Sequence, residues 1–186
     1  SVLTEPTRFD GSLDDLAAAC AAVEVPVMRK DFLLDPYQVL EARAAGASGV
    51  LVIVRLLDDP ALTALLDAAA AAGLFALVEV FDERDAERAG RVLEGRAAGH
   101  LLVGVNVRDL ASLDTDGDRL EAIAGALPPG LPRVAESGLM LPEDTARAAR
   151  LGYGLGLVGT ALMRARDPVT MVESMLASAR YAKRLA

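Results

Sequence analysis

Gly49-Val50-Leu51-Val52-Ile53-Val54, an alanine-rich segment over 60–72, and Phe75-Ala76-Leu77-Val78-Glu79-Val80 decide the fold between them. Both outer runs are apolar throughout rather than alternating, which implies strands buried on both faces. A helix-like segment joining two such strands implies a parallel pair with a helical crossover. The same alternation extends outward. Strands are expected at 1–4, 25–28, 49–54, 75–80, 101–106, 133–136 and 155–158, and helices over 36–45, 60–72, 83–93, 118–126 and 142–151. Pro36, Pro60 and Pro142 fall near first helical turns, where the missing N–H costs little.

A repeat of roughly 22 to 30 residues fits an α/β fold of the (β/α)8 TIM-barrel type. A doubly wound open sheet is the alternative. It usually carries a glycine-rich turn after its first strand, and none follows residues 1–4, so the barrel is preferred. A complete barrel needs eight strands, one more than the chain offers. The expectation is a single barrel domain over 1–186, incomplete at its N-terminus, with its first strand missing. Unpaired strand edges would then favour self-association.

Composition narrows the function classes. At 186 residues the chain can bury a sizeable core. Its apolar runs, such as 68–77, are broken by glycine or fall short of the roughly 20 residues that cross a bilayer. No signal peptide opens the chain, so no membrane association and a cytoplasmic location are expected. The lone Cys20 excludes an internal disulfide framework and reads as a small buried hydrophobe. A net charge of −8 argues against nucleic acid as a partner. One histidine, His100, expected in a loop or strand edge, leaves too few ligands for zinc and no base for Ser137. No metal and no cofactor are expected.

Barrel active sites lie at the C-terminal strand ends. Those ends read Glu5, Lys30, Glu79, Asn106, Glu136-Ser137-Gly138 and Gly159-Thr160. Lys30 is one of only two lysines, with Lys183, among 19 lysines and arginines. It stands where an apolar strand runs out. Arginine hardly deprotonates, whereas lysine can serve as an acid. Glu79 and Glu136 sit inside apolar runs, where a carboxylate must pair or protonate. Two carboxylates and one ammonium facing one barrel mouth would make an acid/base set. The Ser137-Gly138 and Gly159-Thr160 loops suit a phosphate, because glycine lets backbone N–H groups approach an anion. Tight turns alone would also explain those glycines. Beside the acid/base set, the phosphate reading is preferred.

Ser1-Val2-Leu3-Thr4-Glu5-Pro6, Arg29-Lys30-Asp31-Phe32-Leu33-Leu34-Asp35-Pro36-Tyr37-Gln38, Leu77-Val78-Glu79-Val80, Gly104-Val105-Asn106-Val107-Arg108-Asp109-Leu110, Ala135-Glu136-Ser137-Gly138 and Leu157-Val158-Gly159-Thr160-Ala161-Leu162-Met163 together resemble the indole-3-glycerol-phosphate synthase family of tryptophan biosynthesis. The Lys-Asp-Phe and Asn-x-Arg-Asp-Leu motifs are specific; the late Val-Gly is generic to phosphate-binding barrels.

The resemblance implies a carbon–carbon lyase. Such enzymes close the ring of 1-(2-carboxyphenylamino)-1-deoxyribulose 5-phosphate with loss of carbon dioxide and water. It implies Lys30 as general acid and Glu79 as base. Asn106 and Glu136 would hold substrate hydroxyls and position Lys30. Phe32, Arg108 and Leu110 would bind the anthranilate part, and Ser137, Gly138, Gly159 and Thr160 the phosphate. The implied partner is a small sugar-phosphate substrate, and no cofactor is called for. Several features depart from the family, among them Val107 after Asn106, where the family more often has a small or polar residue. Its first-strand glutamate and lysine, its Ser-Pro phosphate loop and its N-terminal helix have no counterpart here. The alternatives are a non-catalytic or truncated sugar-phosphate-binding barrel and a phosphoribosylanthranilate isomerase-like barrel. The two specific motifs speak against the latter.

Overall fold

The computed structural model describes residues 1–108 and 115–185. The chain forms two compact units, one of Ser1–Glu79 with Arg88–Leu102 and one of Val80–Glu87 with Val103–Ala186.

In the first unit β1 (Val2–Leu3) leads through α1 (Pro6–Phe9) and α2 (Leu13–Ala22) to β2 (Met28–Lys30). α3 (Pro36–Ala44), β3 (Gly49–Ile53), α4 (Asp59–Ala71), β4 (Phe75–Val80) and α5 (Glu83–Leu93) follow, with Val80 and the first half of α5 counted in the second unit. The strands are parallel and pair in chain order, Leu3 with Lys30, Arg29 with Val50 and Ile53 with Glu79. Sequential pairing without a reversal is the barrel pattern, not the switch point of a doubly wound sheet. β3 is buried along its whole length, as its unbroken apolar run requires. Gly49 begins it because a Cβ there would run into the Phe75 ring.

The helices start where the sequence marks them. Asp35 and Gln38 form a capping box around Pro36 of α3. Asp58 accepts the Ala61 N–H at 2.8 Å, with Pro60 in the first turn of α4. Leu62, Leu65, Leu66 and Ala69 of α4 are buried, the i, i+3, i+4, i+7 stripe of a core-facing helix.

The strand displaced furthest from expectation is β2. It occupies Met28–Lys30 rather than 25–28. Pro26 has no N–H for a ladder, and Val25 is exposed. Lys30 is therefore the last residue of the strand itself, its carbonyl accepting the Thr4 N–H at 3.1 Å.

The second unit contains β5 (Leu101–Asn106), α6 (Arg119–Ala124), β6 (Arg133–Glu136), α7 (Pro142–Arg150), β7 (Leu155–Leu157), α8 (Thr160–Arg164) and α9 (Pro168–Leu185). Its strands are again parallel, with Asn106 opposite Glu136 and Glu136 opposite Leu157. Asp144 accepts the Met140 and Leu141 N–H groups and caps α7. Asp167 does the same for α9 through Val169 and Thr170. The Thr145 hydroxyl donates to the Met175 carbonyl at 2.9 Å and ties α9 to α7. The buried Tyr153 hydroxyl donates to the Leu120 carbonyl at 2.8 Å, and burial pushes its pKa up to about 12. Among the described residues no helix is long and apolar enough to cross a membrane.

Candidate active site

Successive residues of a strand point to opposite faces. Along Arg29-Lys30-Asp31-Phe32 that rule separates two jobs. Arg29 points toward α3, where its guanidinium donates to the Gln38 carbonyl at 2.7 Å and pairs with Glu41 at 3.3 Å. Lys30 points the other way, its Nζ 3.4 Å from Oε2 of Glu79. Glu79 is 1% exposed and Lys30 one quarter exposed. Their strands, β2 and β4, are alternate ones, and alternate strands share a side-chain layer in this fold. A carboxylate so deeply buried needs a compensating charge, and the ammonium supplies it. The pair can donate a proton from one member and accept one at the other.

The neighbouring residues hold this end of β2 in place. Phe32 lies with its ring centroid 6.3 Å from that of Phe9, and the Arg8 guanidinium carbon stands 5.9 Å above the Phe32 ring. Sequence reasoning missed Arg8 and Phe9. The signal available was an aromatic residue in the turn directly after the first strand.

Glu5, read from the sequence as a strand-end polar group, caps α1 instead. It accepts the Arg8 N–H at 2.6 Å and the Thr7 N–H at 3.0 Å, and the Arg8 bond holds it below the usual carboxylate range. Cys20 is half-buried rather than fully buried, and His100 sits exposed in a short 3-10 turn.

In the second unit Asn106 and Glu136 are neighbours across β5 and β6, and both are buried. Asn106 Oδ1 accepts the Arg108 N–H at 2.9 Å, and its carbonyl accepts from Arg119 at 3.2 Å. The Glu136 carbonyl accepts the Val107 N–H at 3.1 Å. Arg108, half-buried, makes an isolated antiparallel bridge with Thr115. Leu110 lies outside the described residues.

Ser137 and Gly138 are both left-handed, at φ 66° and 70°. A Cβ on Gly138 would stand 2.8 Å from Val107 Cγ2, so both conformation and space demand glycine. A non-glycine residue in that region, such as Ser137, costs energy and is uncommon away from functional sites. Gly159 differs. It precedes α8 and Thr160 with a negative φ, and a Cβ there would meet nothing within 4 Å. Its own surroundings give it no steric reason to be glycine. Among the described residues no three His, Cys, Asp or Glu side chains are grouped to hold a metal ion.

Parallel strands paired in chain order define an α/β fold of the (β/α)8-barrel type. Solved structures agree on the fold. 3-Hexulose-6-phosphate synthase from Salmonella typhimurium superposes with a TM-score of 0.76 over 97% of this chain and 87% of its own, at 19% identity. Orotidine 5'-phosphate decarboxylase from Pyrococcus horikoshii OT3 gives 0.70 over 96% and 86%, at 16% identity. The family model described as indole-3-glycerol phosphate synthase matches residues 1–175. The indole-3-glycerol phosphate synthase of Mycobacterium leprae (strain Br4923) is 47% identical over 95% of this chain and 62% of its own length. That of Mycobacterium avium (strain 104) is also 47% identical, with the same coverage. The chain belongs to the indole-3-glycerol phosphate synthase family, and it spans 62% of the length of these relatives.

Proposed function

We propose that this chain carries the indole-3-glycerol-phosphate synthase reaction. The substrate would be 1-(2-carboxyphenylamino)-1-deoxyribulose 5-phosphate. The observation that carries the reading is the Lys30–Glu79 pair, an ammonium 3.4 Å from a carboxylate that is 1% exposed. Ring closure needs a proton delivered to the ribulose carbonyl oxygen as the aromatic carbon attacks, and Lys30 is assigned that donation. The carboxylate on the attacking carbon then leaves as carbon dioxide. Dehydration needs a proton delivered to the hydroxyl, which departs as water, and a proton removed from the new ring; Glu79 is assigned the removal.

Asn106 and Glu136 are assigned to substrate hydroxyls. Phe32 and Arg108 are assigned to the anthranilate ring and its carboxylate, with Leu110 beside them. Ser137, Gly138, Gly159 and Thr160 are assigned to the phosphate. The conformation of the Ser137-Gly138 turn and the unexplained glycine at 159 support that last assignment. A cytoplasmic location and self-association through strand edges belong to the same proposal; sedimentation velocity tests the second.

The test is the fluorescence of indole-3-glycerol phosphate when substrate is added. It is run on this chain alone and on the chain fused to the portion of the M. leprae relative outside the matched region. Product in either arm supports the reading. Folded protein that forms none in both, yet binds a sugar phosphate, leaves a binding barrel without turnover.

A further inference from the structure

The face of β2 opposite Lys30 carries a second set of charges. Arg29 is 5% exposed, and its side chain reaches four groups. They are Thr4 Oγ1 at 3.0 Å, Asp31 Oδ2 at 2.9 Å, the Gln38 carbonyl and Glu41. Asp31, 9% exposed at its side chain, is equally committed. Its Oδ2 accepts the Thr4 hydroxyl at 2.6 Å, and its Oδ1 accepts the N–H of Phe32 at 2.8 Å.

A buried ion pair is seldom kept for stability, since apolar residues of similar volume often do as well. What this one adds is orientation. It joins β1 through Thr4, α3 through Gln38 and Glu41, and the main chain at Phe32. The backbone on both sides of Lys30 is thus fixed by residues that point away from Lys30.

We infer that Arg29, Asp31 and Thr4 are positioning residues, a buried clamp that sets Lys30 against Glu79 and fixes the entry to Phe32. Lys30 projects from the same strand end as Arg29 but from its other face. A shift in the clamp therefore moves the ammonium without touching it. Arginine is required at 29 because only its planar fork serves Thr4, Asp31 and a carbonyl together. The inference rests on the assigned role of Lys30 for its catalytic consequence, though not for its geometry.

The test uses the scarcity of lysine. Reductive 13C-methylation of this chain labels Lys30, Lys183 and the N-terminus, and Lys30→Arg and Lys183→Arg assign the signals. Thr4→Val is the deciding variant, because it removes the hydroxyl donor to Asp31 without altering any charge. In folded Thr4→Val the Lys30 methyl signal should move while the Lys183 signal stays. Thr4→Ser, which keeps the hydroxyl, should leave both in place. Asp31→Asn should move the Lys30 signal further.

In the synthase assay Thr4→Val should lower kcat by about 10-fold with KM changed far less, since small displacements of a reacting group are costly. A Lys30 signal that stays put in folded Thr4→Val and Asp31→Asn, with only their melting temperatures lowered, overturns the inference. Absence of turnover in the unsubstituted chain counts against the synthase reading alone, because the resonance readout still decides the clamp.

Discussion

Lys30 is the residue on which the proposed chemistry turns, and its assignment separates charge from acidity. Lys30→Arg keeps a cation beside Glu79 but removes a group that readily gives up a proton. General acid catalysis contributes on the order of 100-fold or more, so kcat should fall by about that factor. KM should change several-fold at most. Steady-state kinetics on the variant decide it, and equal losses in both would reduce Lys30 to a binding role. Tyr153 sets a different limit. Its pKa in the folded chain is about 12, raised by burial, against about 10 for an unfolded tyrosine. The folded state thus favours the protonated phenol. That contribution is fully present below pH 10 and is lost as pH rises toward 12. Chemical denaturation at pH 9, 10.5 and 12 should show a steeper alkaline loss in this chain than in Tyr153→Phe.

At the scale of elements, the turn after β6 is constrained in both conformation and space. Gly138→Ala forces a Cβ into a left-handed residue and against Val107, 2.8 Å away. A cost of about 1–3 kcal/mol is expected, measured by urea unfolding. Much of the element order was legible because prolines and aspartates punctuate it. Asp35-Pro36 and Asp59-Pro60 open helices where expected, and the apolar runs of β3, β4 and β5 set their own strands. β2 was misplaced because Val25, Pro26 and Val27 look like a strand while Pro26 cannot join a ladder. α9 went unmarked because Val169, Leu176 and Leu185 are exposed and blur its periodicity. Lys30 stood out in the sequence as a lysine ending an apolar run, and Glu79 and Glu136 as carboxylates inside such runs. Arg29 and Asp31 did not, since flanking charges look like surface until pairing shows which face each takes. The capping role of Glu5 was not foreseen because a helix too short to announce itself follows it directly.

For the whole molecule, a net charge of −8 sets a long-range field that repels polyanions. Fluorescence anisotropy with a labelled 20-base-pair duplex at low salt should show no binding, and a salt-sensitive isotherm would contradict that expectation. The field leaves room for a small phosphorylated substrate, because local amides and one ammonium act over a few ångströms. The same whole carries a historical constraint. Gly49 lies beneath the ring of Phe75, so residue 49 is not free to grow alone. A lineage that enlarges residue 49 must first have shrunk residue 75, whereas the reverse order opens only a void. Substitutions at this pair should therefore appear along descent in one direction, the aromatic lost before the glycine.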